Sequence, residues 1–509
     1  MHRLIYRDPT LAWEPITGHL LSVVRNSLAP AYIRLQAAEV LDGILVATPR
    51  NITTAGENQA KIQLRMLEVL TQQVIFEVNS TAGAVATDIR KLGLETLHDI
   101  LQISAHSFVV GWELVFKMMA SVCQQPLQPT SLPTIAESPL SASPTKPRPP
   151  PLRLDKGNIV LARVAFESLK LVCDAINNLS PSDVRLCIAT IALFGQQNDT
   201  NMSLTAAESL LWSVSDSIQS KRRDSEKETT YSKLWMFLLK ELRKLCADSR
   251  LEVRNGAIQT LFRSLQLYGA TLTPEMWSES LGEIIFPLLD SISNSLSSPS
   301  DPEAADSSAE TNDPRWDSSK GLTFQLIGSL LSTFLLDKVT PLPAFETFWD
   351  KWATHVTQSG IHDPRNVSTL ALSSFEATLS ASGKAGQNRP ESVQAAWERS
   401  WTAVDAIGTA VSDRQPGTPG ASGGPGPTVF TQDSLLAFTN VMHTLHTLYG
   451  NSWDLQRLQR LLQILKGVIT YSKSPEYRPD IDTLSPVQVF TSFVLGRTML
   501  MNERAVCGV

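Results

Sequence analysis

His443 and His446 are the pair of side chains in this sequence whose spacing best suits a metal ion. Side chains three residues apart on a helix lie on the same face, so both imidazole rings could reach one ion. A zinc site needs further cysteine, histidine or carboxylate ligands, and none stands close to this pair in the sequence. We therefore identify no metal-binding residue, and a packed helix face is the alternative interpretation of the pair.

The sequence also lacks the motifs of other catalytic or nucleotide-binding sites. No glycine-rich loop ending in Lys-Ser or Lys-Thr follows a strand, so we predict no phosphate-binding loop. The remaining histidines are dispersed, and no Ser/His/Asp or Cys/His arrangement suggests a nucleophile with its base. We accordingly predict that the chain is not an enzyme, with no catalytic residue, no cofactor-binding residue and no cofactor.

Five cysteines are scattered along the chain without a Cys-x-x-Cys pair. Most of them fall on apolar helical faces, which favours reduced core thiols in the cytosol over disulfides or zinc ligands. They are Cys123, Cys173, Cys187, Cys246 and Cys507.

Two polar segments could act through charge. Ser143-Pro144-Thr145-Lys146 resembles a proline-directed kinase site, and phosphorylation of Ser143 is an alternative to a purely passive linker. The basic residues 221–223 could touch anionic lipid, but acidic residues follow at 224, 226 and 228. We therefore expect a solvated loop at residues 221–230.

Composition excludes several classes of protein. The chain has 509 residues, of which 42% are hydrophobic, and a net charge of −6, which argues against a nucleic-acid binder. No signal peptide is visible at the start. The most apolar stretch, residues 322–336, is too short for a membrane span and contains Gln325 and Ser329. Any membrane association is therefore predicted to be peripheral.

The pattern of predicted helices is clearest in residues 231–290. Trp235, Leu239, Leu242 and Cys246 repeat at helical spacing and predict a packed helix. Ser249 and Glu252 form a Ser-x-x-Glu capping box, which predicts the start of a second helix. We expect that helix to end at Gly269, where glycine suits a left-handed cap.

A third helix is predicted to start at Thr273 as the N-cap, with Pro274 in its first turn. Pro287 lies within this helix and is expected to bend it. Its predicted buried side consists of Trp277, Leu281, Ile284, Ile285 and Leu288.

One pattern in the second of these helices recurs. Val253-Arg254-x-x-Ala257-x-x-x-Leu261 has the spacing of Ile33-Arg34-x-x-Ala37-x-x-x-Leu41, and Asp183-Val184-Arg185 is a looser copy. An apolar anchor, a surface arginine and a small residue that allows close helix approach are typical of HEAT-type repeats. Such helices bury their faces only when stacked on neighbours. We therefore predict an all-α, armadillo/HEAT-like α-solenoid with disordered linkers, the alternative being unrelated amphipathic helices.

Changes in composition divide the chain into seven segments. The segments are helical repeats at 1–123, a Pro/Ser-rich linker at 124–156, HEAT-like repeats at 157–290, an acidic Ser-rich linker at 291–318, helical repeats at 319–411, a Gly/Pro linker at 412–428 and C-terminal helices at 429–509. The chain begins close to a repeat without an obvious polar cap, so we expect it to be a fragment.

Aromatic residues at helical spacing mark the segment 319–411. They are expected to belong to the core, although a protein-binding surface is the alternative. The first group is Phe345, Phe348, Trp349 and Trp352, and the second group is Trp397 and Trp401.

Several landmarks together resemble a known family. They are similar to the regions downstream of the catalytic module in large Sec-seven-type exchange factors for Arf GTPases. The Asn-x-Ser-Leu-Thr segment followed by Leu-Trp is more similar to the related Mon-two family, which lacks that catalytic module. The likeness is strongest over residues 100–340. The landmarks are Gly111-Trp112-Glu113-Leu114-Val115-Phe116, Asn201-Met202-Ser203-Leu204-Thr205, Leu211-Trp212, Leu234-Trp235, Asp248-Ser249-Arg250 and Ile285-Phe286-Pro287-Leu288-Leu289-Asp290.

The resemblance implies a helical scaffold on the cytosolic face of the trans-Golgi network and endosome membranes, and in the cytoplasm. It implies a part in endosome-to-Golgi and vacuolar protein traffic. A Dopey-type protein, a phospholipid flippase and an Arf-like GTPase are the partners that it suggests, with peripheral membrane association and no nucleic acid. Dimerisation is not implied, because the family's N-terminal dimerisation part is missing from this sequence.

Three functional hypotheses follow. The first is a trafficking scaffold without enzymatic activity. The second is the C-terminal regulatory part of a large Arf exchange factor, and the third is a generic HEAT-repeat transport adaptor. A Sec-seven domain encoded upstream of Met1 would favour the second hypothesis.

Overall fold

The computed structural model describes residues 9–51, 57–75, 83–108, 110–123, 156–223, 228–297, 314–384, 391–413, 430–450, 453–471 and 486–507. All regular elements within these ranges are helices, and none is a β-strand. The prediction of an all-α chain is therefore confirmed. The chain forms two compact units, Met1–Glu241 and Leu242–Val509.

The first unit is a succession of helices with short turns between them. A π-turn, Thr205–Leu210, separates the short helix α8 from α9. The helices are α1 (Pro9–Arg25), α2 (Ala31–Asn51), α3 (Glu57–Val74), α4 (Gly83–Ser104), α5 (Trp112–Ala120), α6 (Lys156–Asp174), α7 (Pro181–Gly195), α8 (Thr200–Leu204), α9 (Leu211–Arg223) and most of α10 (Glu228–Leu245).

The second unit continues in the same way. Two further π-turns interrupt it, Ser280–Ile285 and Leu335–Val339. Its helices are α11 (Leu251–Tyr268), α12 (Pro274–Glu279), α13 (Phe286–Ser297), α14 (Pro314–Phe334), α15 (Phe345–His362), α16 (Arg365–Gly383), α17 (Glu391–Asp413), α18 (Gln432–Tyr449), α19 (Leu455–Thr470) and α20 (Pro486–Cys507).

Helices that alternate along the chain pack together within each unit. In the first unit α2 packs on α4 and α4 on α6, while α3 packs on α5 and α5 on α7. In the second unit α14, α16, α18 and α20 form one such series, and α15, α17 and α19 form the other. Each unit thus consists of two layers of stacked helices, which is the packing of an armadillo/HEAT-like repeat.

Buried arginines at helix starts join successive helices at three places. Arg34 Nε donates to the Val24 carbonyl, 2.9 Å away, near the end of α1. Arg254 Nη1 donates to the Asp248 carbonyl at 2.7 Å, in the turn before α11. Arg365 Nη1 donates to the Gly360 carbonyl at 3.0 Å, in the last turn of α15. A guanidinium group there satisfies carbonyls that have no partner inside their own helix.

The expectation that Arg34 and Arg254 lie on the surface was wrong. Arg34 is 5% exposed and Arg254 is completely buried, because each guanidinium is needed at an internal helix end. Arg185 is exposed and lies over the Phe237 ring, 4.0 Å from its centroid. Ile33, expected as an apolar anchor, is 38% exposed, whereas Val253 is fully buried.

Helix α11 ends at Tyr268, as expected, but two predicted helix caps in residues 231–290 were wrong. The N-cap of α11 is Arg250, with no capping side chain, and Asp248 instead accepts the Arg250 backbone N–H at 2.8 Å. Gly269 has φ −53°, which is right-handed. A Cβ at Gly269 would lie 2.8 Å from the Phe334 ring, so glycine is required there by close packing and not by a left-handed cap.

The third predicted helix starts as expected. Thr273 Oγ1 accepts the Met276 backbone N–H at 3.4 Å, and Pro274 occupies the first turn. Pro287 lies in the first turn of α13, directly after the π-turn Ser280–Ile285, which changes the hydrogen-bond register before it. The predicted inner side of this helix is buried throughout.

The predicted segment boundaries differ from the helix ends at several points. Helix α13 continues to Ser297 and α14 begins at Pro314, so the linker predicted at 291–318 was too wide at both ends. Helix α6 begins at Lys156 and α17 ends at Asp413, just inside the other two predicted linkers. The remaining parts of the three linkers lie outside the described residues.

The apolar stretch around residue 330 is longer than expected. Among the described residues one helical stretch, Trp316–Val339, has 24 residues and is apolar enough to cross a membrane. Its predicted shortness was wrong because the helix begins before residue 322 and continues through the π-turn Leu335–Val339. Half of its most apolar 18-residue segment is buried inside the protein, as in a core helix.

The aromatic residues of this region belong to the core. Phe345, Phe348, Trp349 and Trp352 are all buried. The Trp349 indole donates to Ser400 Oγ at 3.0 Å, which satisfies its polar atom. The stripe is therefore part of the core, as expected, and Phe348 also lines a groove described below.

A buried carboxyl joins three helices of the first unit. Gln73 Nε2 of α3 donates to both carboxylate oxygens of Asp42 in α2, at 3.0 and 3.2 Å. Thr96 of α4 also hydrogen-bonds to this carboxyl. Burial, with smaller contributions from Glu39 and Glu95, raises the pKa of Asp42 to about 6.

Candidate functional site

The two histidines considered as metal ligands lie among aromatic rings. The His443 ring is 5.6 Å from Phe490 and 6.4 Å from Phe493, between centroids. The His446 ring is 5.7 Å from Trp453. Within the described ranges no group of three histidine, cysteine or acidic side chains could hold a metal ion.

The cysteines whose surroundings are described have core environments. Cys173, Cys187 and Cys246 are buried, and Cys123 is half-buried. A hydrogen bond with Cys173, together with burial, raises the pKa of Cys187. Burial also raises the pKa of Cys246, and it raises the pKa of Cys123 to about 12. Thiols with raised pKa values stay protonated and are poor nucleophiles.

The basic residues 221–223 are not in a solvated loop. They form the last turn of α9, and Lys221 Nζ donates to the Asn177 carbonyl at 3.0 Å. Arg222 is buried, and burial lowers the pKa values of both Lys221 and Arg222. This part of the prediction was wrong because the Lys221 side chain reaches carbonyls of the turn after α6 and Arg222 is buried. Ser143 lies outside the described residues.

The Asn201-Met202-Ser203 segment has a structural role. The Asp199 carboxylate accepts the backbone N–H groups of Asn201 and Met202, at 3.1 and 3.2 Å, and caps α8. These bonds and an ion pair with Arg163 lower the pKa of Asp199. Ser203 Oγ donates to the Gln197 carbonyl at 2.8 Å. The segment thus fixes a tight turn between α7 and α9.

A groove in the second unit is the strongest candidate for a binding site. It has a volume of about 610 Å³ and is open to solvent. Its first wall is α12 with the π-turn that follows, and its second wall is the segment between the other π-turn and α15. We call it the acidic groove, defined by Glu275, Glu279, Glu283, Leu342, Pro343 and Phe348.

The first wall is amphipathic. Trp277, Leu281 and Ile284 point into the core and are fully buried. Glutamates at 275, 279 and 283, each four residues apart, lie on the groove side. Thr273 caps the helix that carries them. The spacing of the acidic side chains is therefore maintained by the same helix that anchors the wall.

The second wall and the floor come from a distant part of the sequence. After the π-turn Leu335–Val339, the Leu342 N–H donates to the Val339 carbonyl at 3.1 Å, which turns the chain toward α15. Phe348 lies at the floor and stacks on Phe286, with 6.0 Å between ring centroids. The first wall of the groove therefore contains a π-turn and the second wall follows one, and such turns are frequent at functional sites.

The electrostatics of the groove are uniformly negative. Three of the lining residues are carboxylates, and none is lysine, arginine or histidine. A hydrogen bond from its own backbone N–H and another from the Thr273 hydroxyl lower the pKa of Glu275. Glu275 therefore carries its charge throughout the neutral range. A negative rim beside apolar residues can bind a basic partner but offers no nucleophile with a matching base.

Part of this site was visible in the sequence. The glutamates recur every four residues opposite the apolar stripe of the same helix, and that signal was missed because only the buried side was considered. The second wall could not have been found in this way, since Leu342 and Phe348 reach the groove only through the stacking of α14 and α15 on the preceding helices.

Known proteins match this chain over the region that contains the groove. A model of the C-terminal region of Mon2 protein matches residues 223–418. The Mon2 homolog of Xenopus laevis is 26% identical over 435 residues, which cover 77% of this chain and 22% of that protein. The Arabidopsis thaliana ARF guanine-nucleotide exchange factor GNL1 is 26% identical over 295 residues, covering 55% of this chain and 18% of that protein.

A comparison with solved structures matches a circular tandem repeat protein with novel repeat topology and enhanced subunit contact surfaces. It is 10% identical, covers 99% of this chain and 98% of that chain, and has a TM-score of 0.30, too low to carry an argument. The chain spans about a fifth of the length of the curated Mon2 relatives. The family model and these relatives agree with the landmarks in the sequence, and this chain is similar to the C-terminal region of Mon2 (Mon-two) proteins and to an Arf exchange factor.

Proposed function

We propose that the chain is a non-enzymatic scaffold in endosome-to-Golgi and vacuolar protein trafficking. It would act through protein–protein contacts on the cytosolic face of Golgi and endosome membranes. The observation that carries the proposal is the match of residues 223–418 to the C-terminal region of Mon2, because the acidic groove lies inside that region. Two layers of stacked helices provide the extended surface that such a role requires.

The partners follow from the family and are also proposals. A Dopey-type protein, a phospholipid flippase and an Arf-like GTPase are the partners that we propose for this chain. Membrane association would be peripheral and would depend on these proteins, since the basic residues 221–222 make internal contacts.

A fluorescent-nucleotide release assay tests whether the scaffold has exchange activity. The purified chain is added to an Arf-type GTPase loaded with labelled GDP, and an isolated Sec-seven domain serves as the positive control. We expect release at the intrinsic rate, because an exchange factor must disturb the phosphates and magnesium ion that hold the switch loops. Clear acceleration by the chain alone would contradict the proposal.

Affinity purification tests the scaffold role itself. The tagged full chain is expected to retain a Dopey-type protein from cell extract, with an unrelated HEAT-repeat protein as the matched control. Retention by both baits, or by neither, would argue for a generic adaptor.

The match to the Arabidopsis exchange factor favours a second candidate function, a C-terminal regulatory part of an Arf exchange factor. This candidate makes a separate prediction. The chain would then change the rate at which a separately supplied Sec-seven domain releases nucleotide, whereas a scaffold would leave that rate unaltered.

A further inference from the structure

A buried carboxyl and a buried amide face each other where α2, α3 and α4 meet. Gln73 of α3 is completely buried, and Asp42 of α2 is 8% exposed. Gln73 Nε2 donates to both carboxylate oxygens of Asp42, at 3.0 and 3.2 Å. A Cβ placed on Gly93 of α4 would lie 3.5 Å from this nitrogen, so the amide is held between α4 and the carboxyl.

The oxygen of the same amide has no donor. Gln73 Oε1 is buried and accepts no hydrogen bond from any residue that the structure describes. Such an oxygen costs free energy, because it has lost its hydrogen bonds to water. An ionised carboxyl can only accept hydrogen bonds, whereas a protonated carboxyl also carries one O–H donor. A proton on Asp42 therefore supplies the donor that Gln73 Oε1 needs.

The change from one arrangement to the other requires little movement. In a carboxylic acid–amide pair, the carboxyl O–H donates to the amide oxygen while the amide N–H donates to the carboxyl C=O. The last torsion of a glutamine side chain is soft. Gln73 Nε2 lies at nearly equal distances from both carboxyl oxygens, so a turn of the amide brings Oε1 opposite one of them and leaves Nε2 opposite the other.

The charges around this carboxyl favour the protonated form. Burial, together with Glu39 of α2 and Glu95 of α4, raises the pKa of Asp42 to about 6. No basic side chain in the described parts of α1, α3 and α4 contributes to this change. Several basic groups of these helices have partners of their own, which are Glu14 for Arg65, Glu95 for Lys91 and the Val74 carbonyl for Arg90.

We propose that Asp42 and Gln73 form a proton-operated junction in the first unit, in which one proton from solvent closes a carboxylic acid–amide pair with two hydrogen bonds between α2 and α3. Release of the proton leaves the contact through Nε2 alone. This inference goes beyond the proposed function and does not depend on it. Because the folded chain binds the proton more tightly, the added stability is complete below the ordinary pKa of 3.8 and is lost as the pH rises through about 6.

Hydrogen exchange of the full chain tests the effect on the junction. Mass spectrometry follows the opening of α2, α3 and α4 as a function of pH, with correction for the intrinsic exchange rate. One such group changes the opening constant about tenfold per pH unit between its unfolded and folded pKa values. We therefore expect the opening constant to fall by up to about a hundredfold as the pH decreases from about 7 to about 4.

An isosteric variant and a matched control accompany this measurement. Asp42→Asn carries a permanent N–H donor in place of the carboxyl proton. It is expected to show the low opening constant at neutral pH and to lose the pH dependence. Asp99→Asn changes an exposed aspartate on α4 and is expected to keep the full pH dependence.

Infrared spectroscopy tests the pair itself. At about pH 4.5, where Asp42 is protonated, subtracting the spectrum of Asp42→Asn leaves the C=O band of this carboxylic acid. Gln73→Met removes both hydrogen-bonding atoms of the amide, so the band in that background is expected at higher frequency, as for a carbonyl that has lost a hydrogen bond. The low pH also keeps this variant folded more readily, because the carboxyl that loses its donor is then uncharged.

Three results would overturn the inference. They are a carboxylic acid band whose frequency is the same with Gln73 and with Gln73→Met, a low-pH spectrum without a band that Asp42→Asn removes, and an opening constant that keeps its pH dependence in Asp42→Asn. The nucleotide-release and affinity experiments on the scaffold role do not involve this junction, so their outcome is separate.

Discussion

Arg254 is the residue whose replacement tests the packing of the second unit most directly. Its side chain is completely buried. Nε donates to Ser319 Oγ at 2.7 Å, and Nη1 donates to the carbonyls of Asp248 and Ser249 at 2.7 and 3.2 Å. The guanidinium also lies 3.8 Å from the centroid of the Trp316 ring. It therefore ties the turn before α11 to the first turns of α14.

We expect Arg254→Ala to lower the free energy of unfolding by about 3–4 kcal/mol. Each bond from a charged donor contributes about 1.5–3 kcal/mol, and the contact with the Trp316 ring adds about 1 kcal/mol. The cost of burying the guanidinium charge offsets part of this sum. At a surface position, where the sequence pattern places this arginine, the same change would cost only about 0–1 kcal/mol.

Arg254→Met separates the polar contribution from packing. Methionine fills a similar volume but leaves the Asp248 and Ser249 carbonyls without a donor, at a cost of about 1–3 kcal/mol for each buried group left unsatisfied. We therefore expect this variant also to be destabilised, by about 2–3 kcal/mol.

Native-state hydrogen exchange of α11 and α14 is the appropriate assay, because it reports on the second unit without requiring the two units to unfold together. Arg263→Ala, an exposed arginine on the same helix, is the matched control and is expected to change the opening free energy by less than about 1 kcal/mol. If Arg254→Met proved as stable as the unaltered chain, the hydrogen bonds would not be the source of the stability and the reasoning would be refuted.

Three further predictions concern other parts of the chain. Asp42 binds a proton more tightly in the folded chain, since burial raises its pKa from 3.8 to about 6. The free energy of unfolding of the first unit should therefore rise as the pH falls from 7 to 4, by at most about 3 kcal/mol. Asp42→Asn should flatten this pH dependence, which urea titrations at a series of pH values would measure. Gly269→Ala should cost about 1–3 kcal/mol in the same measurement, because its Cβ would lie 2.8 Å from Phe334, whereas Gly282→Ala should be nearly neutral. Limited proteolysis should cut first within the predicted linkers, and protection of all of them would contradict the composition argument: these are 124–156, 291–318 and 412–428.

The acidic groove and the Arg254 junction have different roles although both lie in residues 223–418. The junction is internal, and its replacement should alter stability without selecting a ligand. The glutamates at 275 and 283 are exposed, and their replacement should alter binding with little change in stability. Variants of the two kinds therefore distinguish a folding defect from a binding defect in any cellular assay.

The helices and their inner faces could be predicted from local residue spacing. Apolar side chains at helical spacing, such as Trp277, Leu281 and Ile284, have one stable solution in water, which is a helix buried along that face. The Thr273 cap could also be predicted from the sequence, because a capping hydrogen bond joins residues three positions apart. Recurrence of Arg34 and Arg254 at the same place in their helices indicated stacked repeats. These signals are local, and local spacing is present in the sequence itself.

Contacts between residues of different helices could not be predicted in this way. Arg254 is buried because α14 brings Trp316 and Ser319 over it, and Arg185, in a similar local pattern, is exposed. Gly269 is small because Phe334 approaches it from a helix further along the chain. The acidic groove likewise needs a helical wall and a separate apolar segment. Such contacts depend on how successive helices stack, and no spacing within a single helix contains that information.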